Sequence, residues 1–149
     1  MNAEGFSLAI EGFSLAGQLY VPQGSGPFPA LCICHGVPRG GVSDPDDPGY
    51  PALAERFCEA GFATAIFNFR GSGESGGNFD ILGWTRDLGA VLDHLAARRD
   101  VAGIAVMGFS GGAAVSVYVA ASDHRVSSVI ACACPQAFRW ASDAEKAQA

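Results

Sequence analysis

The sequence predicts an α/β protein with a doubly wound, mostly parallel sheet, preceded by an antiparallel hairpin. Two observations carry this reading. Apolar runs of strand length at 30–34, 63–69, 103–107 and 126–134 alternate with segments of helical spacing at 52–60, 83–99 and 111–121. Two shorter segments of period-two alternation, 4–10 and 11–17, come before them.

The first element is an imperfect tandem repeat, EGFSLAI followed by EGFSLAG. Seven residues is too short a period for a solenoid. Each copy alternates apolar with polar or small residues, so the pair reads as a hairpin running on through Leu19-Tyr20-Val21 and stopping at Pro22. A Gly/Pro/Ser loop follows to Pro29. Ala30 to Cys34 is apolar throughout, as a strand buried on both faces requires. It runs into His35-Gly36-Val37 and a loop from Pro38 to Tyr50 that carries Asp44, Asp46 and Asp47. That loop reads either as the rim of a ligand site or as a solvated surface loop.

Ala52 to Ala60 has helical spacing and ends at Gly61, a residue suited to a helix C-terminus. Ala63 to Phe69 is the next buried strand. The glycine-rich turn 70–77 lacks the Lys-Ser/Thr pair of a phosphate-binding loop, and no Gly-x-Gly-x-x-Gly opening follows it. Gly83 to Arg99 is the clearest amphipathic helix. It has Trp84, Leu88, Val91, Leu92 and Leu95 on one stripe and Arg86, Asp87, Asp93 and Arg98 opposite. Val126 to Cys134 is read as a further buried strand, stopped by Pro135. Phe138 and Trp140 begin a new apolar stretch, and the tail from Ser142 is short and polar. No linker divides the chain, so residues 1–149 are read as one partial α/β domain.

Composition excludes several classes. Apolar residues make up 49% of 149, enough for a packed domain that buries about 68–70% of its unfolded surface. The net charge is −6 and Lys146 is the sole lysine, which argues against a nucleic-acid or anionic-membrane partner. No apolar run reaches membrane-spanning length. Cys32 and Cys34, and Cys132 and Cys134, form two Cys-x-Cys pairs inside strand-like runs. Alternation sends neighbouring strand residues to opposite faces, so these thiols, with Cys58, are read as small buried apolar groups and not as metal ligands. An odd cysteine count without a basic-then-apolar leader points to a reducing, cytoplasmic compartment.

The chemistry is carried by residues 104–114, a buried strand, a tight turn and a helix of small residues. Gly108, Ser110 and Gly112 form Gly-x-Ser-x-Gly in the strand–turn–helix order of a nucleophile elbow. Glycine is needed because backbone and helix approach too closely for a Cβ two residues either side of the serine. The serine sits in a strained backbone state that costs about 1–3 kcal/mol. The alternative reading is a structural glycine turn with a surface serine.

HGVPRGG, NFRGSGESGG and GFSGGAA each follow a strand run, in that order. Together they resemble the α/β-hydrolase superfamily, most nearly its small esterase and serine-aminopeptidase-type members, over about residues 6–140. The resemblance implies that Ser110 is the nucleophile and that the backbone N–H groups of Gly111 and Val37 bind the oxyanion. It implies that His35 shapes a turn and is not the base, and that Arg70, Gly71 and Gly73 are mainly structural. No cofactor and no metal are implied, and the substrate is expected to be a small-molecule ester.

The same resemblance asks for an acid and then a histidine after Ser110. The chain offers Asp123, His124 and Asp143 there, and Asp123-His124 falls at the wrong end of the helix. Neither catalytic partner is found in this chain. Three explanations stand: a longer hydrolase of which these residues are a piece, a partner chain that supplies the missing strands, or His94 or His124 as an unusual base. A hydrolase core without its last strands leaves 126–134 as an apolar sheet edge, which is expected to self-associate or pair with a partner chain. A non-catalytic scaffold or binding module on the same sheet is the competing class of function.

Overall fold

The computed structural model describes residues 1–38 and 46–136. In chain order its elements are β1 (Asn2–Ile10), β2 (Phe13–Val21), β3 (Phe28–Cys34), α1 (Gly49–Glu59), β4 (Ala63–Phe67), α2 (Ile81–Ala96), β5 (Val101–Phe109), α3 (Gly111–Ala120) and β6 (Val126–Cys132). The strands form one sheet in the order β1-β2-β4-β3-β5-β6. β1, β2 and β4 pair antiparallel, whereas β4, β3, β5 and β6 run parallel. This is the mostly parallel sheet, preceded by an antiparallel hairpin, that the alternation of strands and helices predicts.

The hairpin forms because Glu11 and Gly12 both take positive φ, 48° and 88°, as a two-residue turn between twisted strands demands. The tandem repeat then sets Leu8 directly opposite Leu15. Alternation along the central strands serves two layers. Leu31, Ile33 and Met107 meet Leu53 and Phe57 of α1 on one face. Cys32, Cys34 and Val106 meet Trp84, Leu88, Val91 and Leu92 of α2 and Val115 of α3 on the other. α2 is started by Asp80, whose side chain accepts a bond from the Leu82 N–H at 3.2 Å. No described helix is long and apolar enough to cross a membrane.

Three expectations are corrected. Asp87 does not lie on the solvent face of α2: its side chain is fully buried. Its carboxylate accepts the Arg70 backbone N–H at 2.8 Å and the Arg70 guanidinium at 2.8–3.0 Å, so the charge is matched inside the protein. β6 is not a buried strand. It is the sheet edge expected of a core without its last strands, so no residue of Val126–Cys132 is buried, and Ile130 is 43% exposed. Of the cysteines, Cys32, Cys34 and Cys58 are buried, but Cys132 is half-buried and Cys134 exposed. Cys32 and Cys34 share a face, since residues two apart on a strand point the same way. Among the described residues no cluster of His, Cys, Asp or Glu is arranged to hold a metal ion. Phe138, Trp140 and the polar tail lie outside the described residues.

Arg70 also ties the turn after β4 to the hairpin tip, where Glu11 accepts from it at 2.5 Å. Arg86 reaches the same carboxylate at 3.2 Å. These hydrogen bonds, from Arg70 first and Arg86 second, bring the Glu11 pKa down to about 2. A depressed carboxylate stabilises the fold above its unfolded pKa and loses that contribution as pH falls through the native value. Glu11→Gln is therefore expected to be less stable than the parent chain at pH 6, with the gap closing as pH falls from about 4.5 toward 2. Urea midpoints of the two proteins across that range check this.

Candidate active site

β5 ends at Phe109 and α3 begins at Gly111, so the chain turns from strand to helix within one residue. That residue is Ser110, at φ 53° and ψ −117°. A side chain with a Cβ is strained there, by about 1–3 kcal/mol. The surroundings enforce it. The Ser110 N–H donates to the Cys132 carbonyl at 2.9 Å, and its carbonyl accepts from the Ala113 N–H at 3.0 Å. Ser110 is exposed and its hydroxyl makes no capping bond to α3.

The glycines around it are set by contact. A Cβ at Gly108 would lie 2.5 Å from the Gly112 carbonyl oxygen and 2.6 Å from the Ala113 Cα. A Cβ at Gly112 would lie 2.2 Å from the His35 carbonyl oxygen and 2.6 Å from that of Cys34. A Cβ at Gly36 would meet the Phe109 carbonyl oxygen at 3.1 Å and the Ser110 Cβ at 3.3 Å. The turn after β3 is thus pressed against the turn after β5, backbone to backbone. Parallel pairing of Cys34 with Gly108 brings both turns off the sheet at the same level.

His35 fixes the first of these turns. Its Nε2 accepts the Phe69 N–H at 3.0 Å, so the ring proton sits on Nδ1, which donates to the Gly36 carbonyl at 2.7 Å. Burial lowers its pKa, opposed by the bond to Gly36, and favours this neutral form. Peptide planarity then directs the Val37 N–H away from the imidazole. Val37 itself is 37% exposed. Gly111 is buried at the first position of α3, where an N–H has no intrahelical acceptor.

Phe69 and Trp84 stack at 4.2 Å, and both meet the His35 ring edge-on at 5.1 and 5.3 Å. Trp84 Nε1 donates to the Arg70 carbonyl at 3.2 Å. Tyr50, at the start of α1, lies 5.8 Å from the Phe109 ring, and burial pushes its phenol pKa up while the Gly36 backbone pulls it down. Tyr50, Trp84 and Asp87 were not picked out as site residues from the sequence. Only the Gly-rich segments that they support carried a recognisable pattern.

The other histidines do not meet Ser110. His94, in the last turn of α2, lies against the Phe6 ring in a tilted arrangement, centroids 4.8 Å apart. His124 follows the far end of α3, about 15 Å along the helix from Ser110. Its neighbour Asp123 is paired with Arg125 at 2.8 Å. Asp143 lies outside the described residues.

Residues 11–146 match the X-Pro dipeptidyl-peptidase (S15) family. The chain belongs to this family. It is 33% identical over 115 residues to an uncharacterized 31.7 kDa protein of Escherichia coli, a match that covers 74% of this chain and 38% of that one. Among solved structures it is similar to a hypothetical protein of Pseudomonas aeruginosa. There the TM-score is 0.77 and the identity 28%, covering 93% of this chain and 44% of the other. It is also similar to an alpha-beta serine hydrolase homologue of Coxiella burnetii, with TM-score 0.70 and 32% identity over 87% of this chain and 62% of the other. This S15-family chain therefore spans less than two thirds of each of these three relatives.

The contact at Gly112 is the most exacting at this site. Gly112→Ala is expected to cost about 1–3 kcal/mol or more, because a methyl group cannot share space with two carbonyl oxygens. Gly61→Ala, where a Cβ meets nothing within 4 Å but φ is +101°, is expected to cost less. Equilibrium urea unfolding of the two variants compares them.

Proposed function

We propose that the protein carrying this chain is a serine hydrolase acting on carboxylic esters, with Ser110 as nucleophile. The observation that supports this best is the strained, exposed serine whose hydroxyl caps nothing, seated against the Gly36 turn. Family membership and the serine hydrolase relative support hydrolysis as the reaction class.

In this reading Ser110 Oγ attacks the ester carbonyl carbon and its proton passes to a general base. The carbonyl oxygen takes up negative charge and accepts from the Gly111 and Val37 N–H groups. Losing one such donor costs about 2.7–4 kcal/mol. Collapse breaks the ester C–O bond, and the departing alkoxide takes the proton from the base. Water, deprotonated by the same base, then attacks the acyl-serine and releases the acid. His35 is not that base, because both ring nitrogens are engaged. In this reading the base and its acid come from residues other than the described ones.

The β6 edge favours that completion. Its Ile130 stands 43% exposed. Residues 1–149 alone are expected to self-associate through this edge, giving a scattering mass above 15.3 kDa at micromolar concentration. A monodisperse monomer overturns the edge proposal.

An alkyl fluorophosphonate is expected to attach to Ser110 in the complete protein, and Ser110→Ala to abolish labelling. Folded complete protein that takes no label at Ser110 sinks the hydrolase reading. It would favour a non-catalytic scaffold, the reading consistent with no described histidine standing at Ser110.

A further inference from the structure

A groove of about 980 Å³ starts at the Gly36-Val37 turn and ends on β1. Its floor follows from the register. Ile33 pairs with Ile66, Ile66 with Gln18, and Gln18 with Gly5. Cross-strand partners share a face, so these four line one row across β3, β4, β2 and β1. Ala16 and Ser7, also paired, lie two residues along on the same face. Three strand spacings give the row a length of about 14 Å.

The depression exists because the floor is built of small residues toward its far end. A Cβ built on Gly5 meets nothing within 4 Å. Tyr50 and Pro51, which open α1, wall one side, and Ser72 and Glu74 belong to the turn on the other. Glu74 is the one carboxylate, and no lysine or arginine is present, among the described lining residues. His35 is held neutral by its two hydrogen bonds.

We infer that this groove binds an uncharged, elongated acyl or aryl group running from the Val37 turn toward Ser7, and that it rejects an anionic one. The inference rests on the hydrolase reading for its role, as the seat of one limb of the ester. Half-buried Ile66 and Tyr50, with exposed Val37 and Pro51, supply the apolar contact area. Absence of a described cation in the lining, with Glu74 at the rim, disfavours a carboxylate.

Binding is measurable without turnover. In amide proton–nitrogen spectra of the complete protein, 1-octanol is expected to shift Gly5, Ser7, Asn68 and Gly73 saturably, with octanoate at least tenfold weaker. Ser7→Trp places a large ring on an exposed strand position at the far end of the floor, and is expected to weaken 1-octanol at least tenfold. Ala16→Leu does the same from mid-floor, should the tryptophan variant not fold. Equal binding of octanoate, shifts confined elsewhere, or octanol binding unchanged in the folded variant each overturn the inference. The result is separable from that of Ser110 labelling. Octanol binding without labelling leaves the groove standing and removes the hydrolase, whereas labelling without octanol binding does the reverse.

Discussion

Everything at this site depends on two backbone turns touching with no side chain between them. β3 and β5 are parallel neighbours in register, so their C-terminal turns leave the sheet side by side. Space for both exists only because residues 36, 108 and 112 lack a Cβ. Once the turns touch, the position of Ser110 relative to Gly36 is no longer adjustable. Close packing makes such a contact nearly rigid, since interiors have few voids into which a displaced carbonyl can move. The exposed hydroxyl is thereby held by main chain on two sides and not by its own rotamer preferences alone.

The first turn has a second support, from the opposite layer. Asp87 and Trp84, three residues apart on α2, hold the Phe69-Arg70 segment by its main-chain N–H and C=O. Phe69 in turn holds His35, and His35 holds the Gly36 carbonyl. A buried carboxylate is costly, and it is tolerated here because Arg70 supplies both a backbone donor and a guanidinium. Removing either partner of such a pair typically costs about 3–5 kcal/mol, much of it the burden of a charge left alone. The neutral imidazole then needs no counter-ion, and its two nitrogens are used as one donor and one acceptor.

The order of strands and helices was legible because the two periods, 2 and 3.6, separate cleanly along this chain. The bend at Ser110 was legible because Gly-x-Ser-x-Gly encodes it within five residues. Asp87 was misplaced although its spacing was informative. Positions 84, 87, 88 and 91 share one helical face, and reading the charge ahead of the spacing sent Asp87 outward. Its partner lies 17 residues away and that of His35 lies 34 away, distances over which a local pattern carries no signal. The burial of β6 was misjudged for a different reason, although its place at the sheet edge was expected. Apolar content shows what a strand tolerates, while burial is set by what lies beyond it.

One comparison bears on why a serine occupies this bend. At the first flanking position of a helix, a serine ordinarily stabilises by accepting an N–H of the first turn. Ser110 makes no such bond, and its φ of 53° is one that glycine adopts without strain. For stability alone, glycine there would relieve the strain with no capping bond to lose. The side chain thus contributes an exposed oxygen, at a local cost of about 1–3 kcal/mol, and no structural gain that offsets it. That imbalance is what chemistry at the hydroxyl explains and a purely architectural turn does not. It is also why the hydrolase reading rests on the backbone angle of one residue more than on the fold around it.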